Sequence, residues 1–247
     1  MNNKLWSKKT NKITSEIESL LSGEDIFLDQ KLFLFDIEAT IAHINELKAI
    51  DILKQSEVNK LKKSLNVLRT KYQNNSFKLT PDFEDSHSAI EYFLINELGD
   101  LGAKIHTGRS RNDQVLVALR LYAREALMEL KNINIEITET FLKQADLNKN
   151  LVLPGYTHMQ KAVVSNWGLW FSSFAESFLD NIDLINHTHS WINLNPLGSA
   201  AGYGVNLPIK RDISTKELGF RRKQLNTLYV QNSRGKFELQ IIETLKQ

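Results

Sequence analysis

Between Asn112 and about Leu147, apolar residues including Val115, Leu116, Leu119, Tyr122, Leu127, Leu130, Ile133, Ile137 and Phe141 occupy most faces of the helix that their spacing implies. A helix apolar all round needs neighbours on every side. At 1.5 Å per residue this one reaches about 50 Å, longer than a small domain is wide. A second segment, from about Lys161 to Trp191, carries Trp167, Trp170, Phe171, Phe174, Phe178, Ile182 and Ile185, an aromatic stripe that reads as core. The two together predict an all-α chain organised around long helices.

Shorter helices precede them. Leu34, Ile37, Ile41, Ile44 and Leu47 recur at spacings of three and four, and Val58, Leu61, Leu65 and Leu68 do so again after a cap at Ser56. The prolines Pro81, Pro154, Pro196 and Pro208 all fall where the periodicity breaks, and no run reads as a strand. Gly99 and Gly102 bracket a boundary near Leu101. The expected organisation is a helical N-terminal domain over residues 1–101 and the start of a long-helix bundle over residues 102–247.

A net charge of +2 gives no reason to expect a nucleic-acid or membrane partner, and the absence of cysteine excludes disulfides and thiolate chemistry. Met1-Asn2-Asn3-Lys4 lacks the apolar core of a signal peptide, and no apolar run approaches the roughly 20 residues that span a bilayer. A soluble cytoplasmic protein is expected. His187 and His189, two apart on a predicted helix, face different ways and make a poor metal pair. Gly198, Gly202 and Gly204 lack the preceding strand and following Lys-Ser/Thr of a phosphate loop.

The densest chemistry lies in Lys104-Ile105-His106-Thr107-Gly108-Arg109-Ser110-Arg111-Asn112-Asp113-Gln114, a turn that opens the long helix. Gly108 permits positive φ, and Asn112 or Asp113 can cap the helix. Arg109 and Arg111 then stand beside free helix amides at the positive end of the dipole, an arrangement suited to carboxylates. Ser110, Asn112 and Gln114 add directional hydrogen bonds. The structural alternative is a basic turn whose arginines tie the helix start to nearby Asp or Glu. Pro154-Gly155-Tyr156-Thr157-His158-Met159-Gln160 is expected to repeat the design, a polar turn ahead of a long helix. His158 can exchange a proton near neutral pH, and Thr157 and Gln160 flank it with hydrogen-bonding groups. The alternative is a histidine that merely caps a helix.

These strings resemble argininosuccinate lyase, of the fumarase and aspartase superfamily. The matching residues are Lys4-Leu5-Trp6, Phe35-Asp36-Ile37 with Ile41-Ala42-His43, Glu84-Asp85-Ser86-His87 with Ala89-Ile90-Glu91, His106 to Gln114, Pro154 to Gln160, Pro196-Leu197-Gly198-Ser199, and Leu218-Gly219-Phe220. The string from His106 to Gln114 is the most specific of them. The resemblance implies cleavage of argininosuccinate to arginine and fumarate, as in arginine biosynthesis, without cofactor or metal. It implies a homotetramer whose subunits pack their long helices together and build each active site from three chains. Ser110, Arg111 and Asn112 match one substrate-binding segment. Thr157, His158 and Gln160 match another, with His158 the catalytic histidine. Glu84, Asp85 and His87 then read as a capped helix start beside the site rather than a metal cluster.

The family's third segment, Gly-Ser-Ser-x-Met-Pro-x-Lys-x-Asn-Pro, supplies a proton-abstracting serine. It is absent here, since none of Met1, Met128 and Met159 precedes proline. The chain is therefore expected to be an N-terminal portion, with the bundle incomplete at Gln247 and no activity alone. Lys161-Ala162-Val163-Val164 follows Gln160 where the family often has Arg-Ala-Gln-Pro. Arg234-Gly235-Lys236-Phe237-Glu238 stands where many members have an Asp-Arg-Asp-Phe string that reaches substrate, and Asp25 stands in place of a substrate-binding serine. The alternative function is a non-catalytic structural protein that keeps the lyase fold, as the crystallins of the family do. A related lyase acting on adenylosuccinate fits the His106 to Gln114 string less well.

Overall fold

The computed structural model describes residues 24–247, so Lys4-Leu5-Trp6 lies outside the described residues. Helices α1 (Phe33–Ala49), α2 (Gln55–Gln73) and α3 (Ser86–Leu98) precede α4 (Arg111–Asn148), which realises the long helix expected from sequence. A hairpin of β1 (Val152–Thr157) and β2 (Gln160–Asn166) leads into α5 (Trp167–Ile192). Then come the two-residue strand β3 (Leu194–Asn195), α6 (Asp212–Glu217), β4 (Arg222–Lys223), α7 (Thr227–Asn232) and α8 (Lys236–Leu245), with β3 and β4 paired in parallel. The fold is the all-α one that the periodicities predict.

Packing divides the chain into two compact units: residues up to Tyr122 with Asn193–Arg234, and Ala123–Ile192 with Gly235–Gln247. This differs from a cut at Leu101. The first turns of α4 group with the shorter helices because Val117 and Leu121 share a buried cluster with Ala39, Ala42, Leu197, Leu218 and Phe220. In the main core of the first unit, Phe33, Ile37, Ile44 and Leu47 of α1 meet Leu61, Leu65 and Leu68 of α2 and Ile90 and Leu94 of α3. Each such side chain contributes about 1.5–3 kcal/mol by leaving water. α2 starts just before the expected cap at Ser56, where the Glu57 carboxylate accepts the Lys54 N–H at 2.7 Å.

In the second unit Phe141 of α4 stacks on Phe174 and Phe178 of α5, with ring centroids 5.2 and 5.9 Å apart. Trp191 packs on Phe237 of α8, and the buried Thr188 and Thr244 hydroxyls lie 2.7 Å apart. Of the stripe expected to be core, only Ile185 is buried; Trp167, Phe171, Phe178 and Ile182 are half-buried, and Trp170 and Phe174 stay exposed.

The segment around His158 corrects the sequence reading. Residues 152–166 form an antiparallel hairpin rather than a turn and a helix start, and α5 begins at Trp167 instead of Lys161. His158 and Met159 are the two turn residues between the paired Thr157 and Gln160, and both take positive φ, 50° and 61°. Positive φ at both central residues is the type I′ turn, whose twist matches that of the strands. The usual Asn-Gly signal is missing, so the hairpin is hidden in the sequence. Gly155 sits at the register shift, where a Cβ would come within 2.9 Å of a Val163 methyl group.

Candidate active site

α4 opens with a Ser-x-x-Asp capping box, in which the Ser110 N–H donates to Asp113 Oδ1 at 2.9 Å and Ser110 Oγ accepts the Asn112 N–H at 3.3 Å. The cap is thus Ser110 rather than Asn112 or Asp113. Gly108 takes φ 71°, as the turn requires. Asp113 is fully buried, and its Oδ2 accepts the N–H groups of both Gly198 and Ala200 at 2.9 Å. One carboxylate thereby holds the helix start and a distant loop together.

The turn is also held from α1. His43 Nε2 lies 2.9 Å from the Thr107 carbonyl, which only accepts, so Nε2 carries a proton and donates. His43 Nδ1 lies 3.0 Å from Glu46 Oε2. That contact is a hydrogen bond only if one further proton sits between the two groups. Both side chains are fully buried. Burial pushes His43 below its ordinary value, with the Glu46 hydrogen bond opposing.

The two arginines of the loop are engaged internally. Arg109 is buried and donates through Nη1 to Thr40 Oγ1 at 3.0 Å. Arg111 donates through Nη1 to Asp85 Oδ1 at 2.6 Å, with Nη2 3.6 Å from Glu91. Arg111 thus makes the carboxylate contacts that the structural alternative describes, whereas Arg109 bonds to a hydroxyl. Asp85 is also the N-cap of α3, accepting the Ser88 N–H at 2.7 Å, so the Glu84-Asp85-Ser86-His87 string is the capped helix start expected.

Behind it, buried His87 bonds through Nδ1 to Asp36, which also accepts from Ser86 Oγ at 3.3 Å. Burial would push His87 down, but the Asp36 charge and hydrogen bond outweigh it and hold the imidazole above its ordinary value. Burial likewise raises Asp36, and His87 and Arg109 reverse this, leaving it lowered. Half-buried His106 is pushed down by burial and then by the Arg109 charge.

Ser110, Arg111 and Asn112 come together at the start of α4. Asn112 Nδ2 donates to Ser110 Oγ at 3.1 Å, and Asn112 Oδ1 accepts from Arg234 Nη1 at 2.9 Å. In the sequence Arg234 stands out only as a departure from the family string, because no local signal reports a contact across 122 residues. Thr157, His158 and Gln160 belong to the second unit, where all three are exposed at the hairpin tip.

A family model described as Lyase matches residues 3–236. An argininosuccinate lyase of Stenotrophomonas maltophilia (strain K279a) is 46% identical over 241 residues, covering 98% of this chain and 56% of the relative. One of Xanthomonas campestris pv. campestris (strain B100) is 46% identical over 245 residues, covering 99% and 57%. The chain spans about half the length of the curated relatives it matches. Among solved structures, EDDS lyase in complex with formate has a TM-score of 0.77 at 24% identity, covering 95% of this chain and 46% of that one. The β-carboxy-cis,cis-muconate cycloisomerase of Acinetobacter calcoaceticus sp. ADP1 has a TM-score of 0.64 at 19% identity, covering 94% and 56%. These two likenesses concern the fold alone.

Proposed function

This chain belongs to the lyase family, and we propose that the protein carrying it cleaves argininosuccinate to L-arginine and fumarate by β-elimination. The observation that carries the reading is 46% identity to argininosuccinate lyases along almost the whole chain. The local chemistry agrees with it. Ser110 and Asn112 gather hydrogen-bonding groups at the positive end of a 38-residue helix, where a carboxylate is stabilised.

In the elimination, a base takes the proton from the carbon beside a substrate carboxylate, the role that the resemblance gives to the serine of the segment absent from this sequence. The C–H electron pair becomes the new C=C bond, and the C–N bond breaks toward the guanidinium nitrogen, which takes up a proton and departs as arginine. Negative charge builds on the carboxylate side, so fixed donors that meet it there lower the barrier. His158 takes the acid/base role, with Thr157 and Gln160 beside it as substrate ligands. Ser110, Arg111 and Asn112 form the other binding segment. Arg111 acts with Asp85 and Glu91, a mixed-charge group suited to a substrate that bears both signs.

The same reading makes the protein a cytoplasmic enzyme of arginine biosynthesis and a homotetramer with shared active sites. Exposed Ile133, Leu142, Leu169 and Val164 support association. A purely structural, crystallin-like role needs neither the loop donors nor His158, so their retention favours the enzyme.

The test is fumarate release, followed by absorbance, from argininosuccinate by the full-length protein and its His158→Asn variant. Asparagine tolerates the positive φ of that position, so the turn should survive. Turnover should fall about 10²- to 10⁴-fold. No release by the parent protein would reject the reading, and equal turnover in the variant would remove His158 from the chemistry.

A further inference from the structure

Arg234 is an exposed residue that follows α7, and among the described residues its guanidinium pairs with no carboxylate. Its backbone is fixed: the Arg234 N–H donates to the Gln231 carbonyl at 3.1 Å, and neighbouring Ser233 is buried with its hydroxyl on the Val230 carbonyl. From there Nη1 reaches Asn112 Oδ1 at 2.9 Å.

A guanidinium only donates, so the Asn112 atom that faces it must be the amide oxygen. The amide NH₂ is thereby turned to Ser110 Oγ at 3.1 Å. That oxygen also accepts the Asn112 backbone N–H at 3.3 Å. A serine hydroxyl has two acceptor positions and one proton. Both acceptor positions are filled, and the O–H is left to donate.

We propose that Arg234 is a positioning residue: by holding the Asn112 oxygen it fixes the amide, and through the amide it keeps the Ser110 hydroxyl a pure donor toward a substrate carboxylate. Without Arg234 the amide can turn over. Its oxygen would then take the Ser110 proton, and the donor facing the ligand would be lost. The effect runs from Arg234 through Asn112 to Ser110, with no contact between Arg234 and substrate. The inference rests on the reading that this loop binds the carboxylates of argininosuccinate and of its product fumarate.

A double-mutant cycle on the full-length protein tests it, with fumarate product inhibition as the readout and melting temperature as a control. Ser110→Gly removes the hydroxyl while keeping a residue that helix N-caps accept. Arg234→Ala should weaken fumarate inhibition about 3- to 10-fold in the parent, the worth of one ordinary hydrogen bond. It should change inhibition less than about twofold in the Ser110→Gly background, because the hydroxyl it controls is gone. Arg234→Lys, also a pure donor, should recover most of the loss.

Equal losses in both backgrounds would overturn the inference by showing that Arg234 acts independently of Ser110. An unchanged inhibition constant in a folded Arg234→Ala variant would overturn it too, as would a loss that merely tracks a lowered melting temperature. A parent protein that neither turns over argininosuccinate nor binds fumarate would reject the functional reading itself, and the inference with it.

Discussion

The carboxylate of Asp113 accepts the backbone N–H of Gly198 at 2.9 Å, joining the first turn of α4 to a loop 85 residues away. Its other partners are the N–H groups of Ala200 and Ser110. Ala200 holds a φ of 51°, uncommon for a residue with a Cβ, so the loop depends on this anchor. Asp113→Ala should lower folding stability by about 3 kcal/mol or more, since three backbone donors lose a charged acceptor. Asp113→Asn keeps one oxygen and should cost less. Urea denaturation of the variants measures both, and an Asp113→Ala midpoint equal to the parent's would show that the loop stands without the anchor.

Arg111 is expected to serve the fold as well as the ligand. Its guanidinium joins Asp85 at 2.6 Å and approaches Glu91 at 3.6 Å, with about a quarter of the side chain exposed. Arg111→Ala should therefore lower stability by about 1–2 kcal/mol, between the values for exposed pairs and for charge-assisted bonds at well-defined sites. An unchanged melting temperature would make these contacts incidental and leave Arg111 to the ligand alone.

Much of this arrangement is legible in sequence where the determinant is local. The helix that begins at Arg111 follows from apolar spacing, the turn at Gly108 from its missing Cβ, and the capped start at Asp85 from polar residues ahead of an apolar run. Even the Ser110 cap has a sequence signal, since Asp113 stands three residues on as a capping box requires. The hairpin around His158 escapes because His-Met is a poor turn sequence, and its strands expose rather than alternate their apolar residues. The Asn112–Arg234 and Asp113–Gly198 contacts escape for another reason: nothing in either segment encodes its partner.

The Asp36–His87 pair should give stability a pH dependence of defined sign. His87 is held above 6.5, so its contribution is complete below 6.5 and is lost as pH rises through the raised value. Asp36 is held below 3.8, so its contribution is present above 3.8 and is lost as pH falls through the lowered value. His43, pushed down by burial, acts oppositely and favours the fold only as pH rises through the 6.5 range. The stability difference between the parent and Asp36→Asn isolates the pair, because both proteins contain His43. That difference should be largest between about pH 4 and about pH 6.5 and should shrink on the alkaline side. A difference flat from about pH 5 to about pH 9 would mean that the two groups are not an ion pair.

The hairpin presents apolar residues to solvent on an unusual scale: Met159 is 96% exposed, Val164 83%, Val152 71% and Val163 67%. Exposed apolar groups in such a cluster mark a surface that another molecule covers. If that molecule is a second copy, as proposed for the full-length protein, Val164→Lys places a charge where about 1.5–3 kcal/mol of apolar burial was available. The variant should keep its helical content and shift toward smaller species at equal concentration, read by size-exclusion chromatography with light scattering. An unchanged mass distribution would place Val164 outside any contact between copies and leave the apolar faces of α4 and α5 as the surfaces that associate.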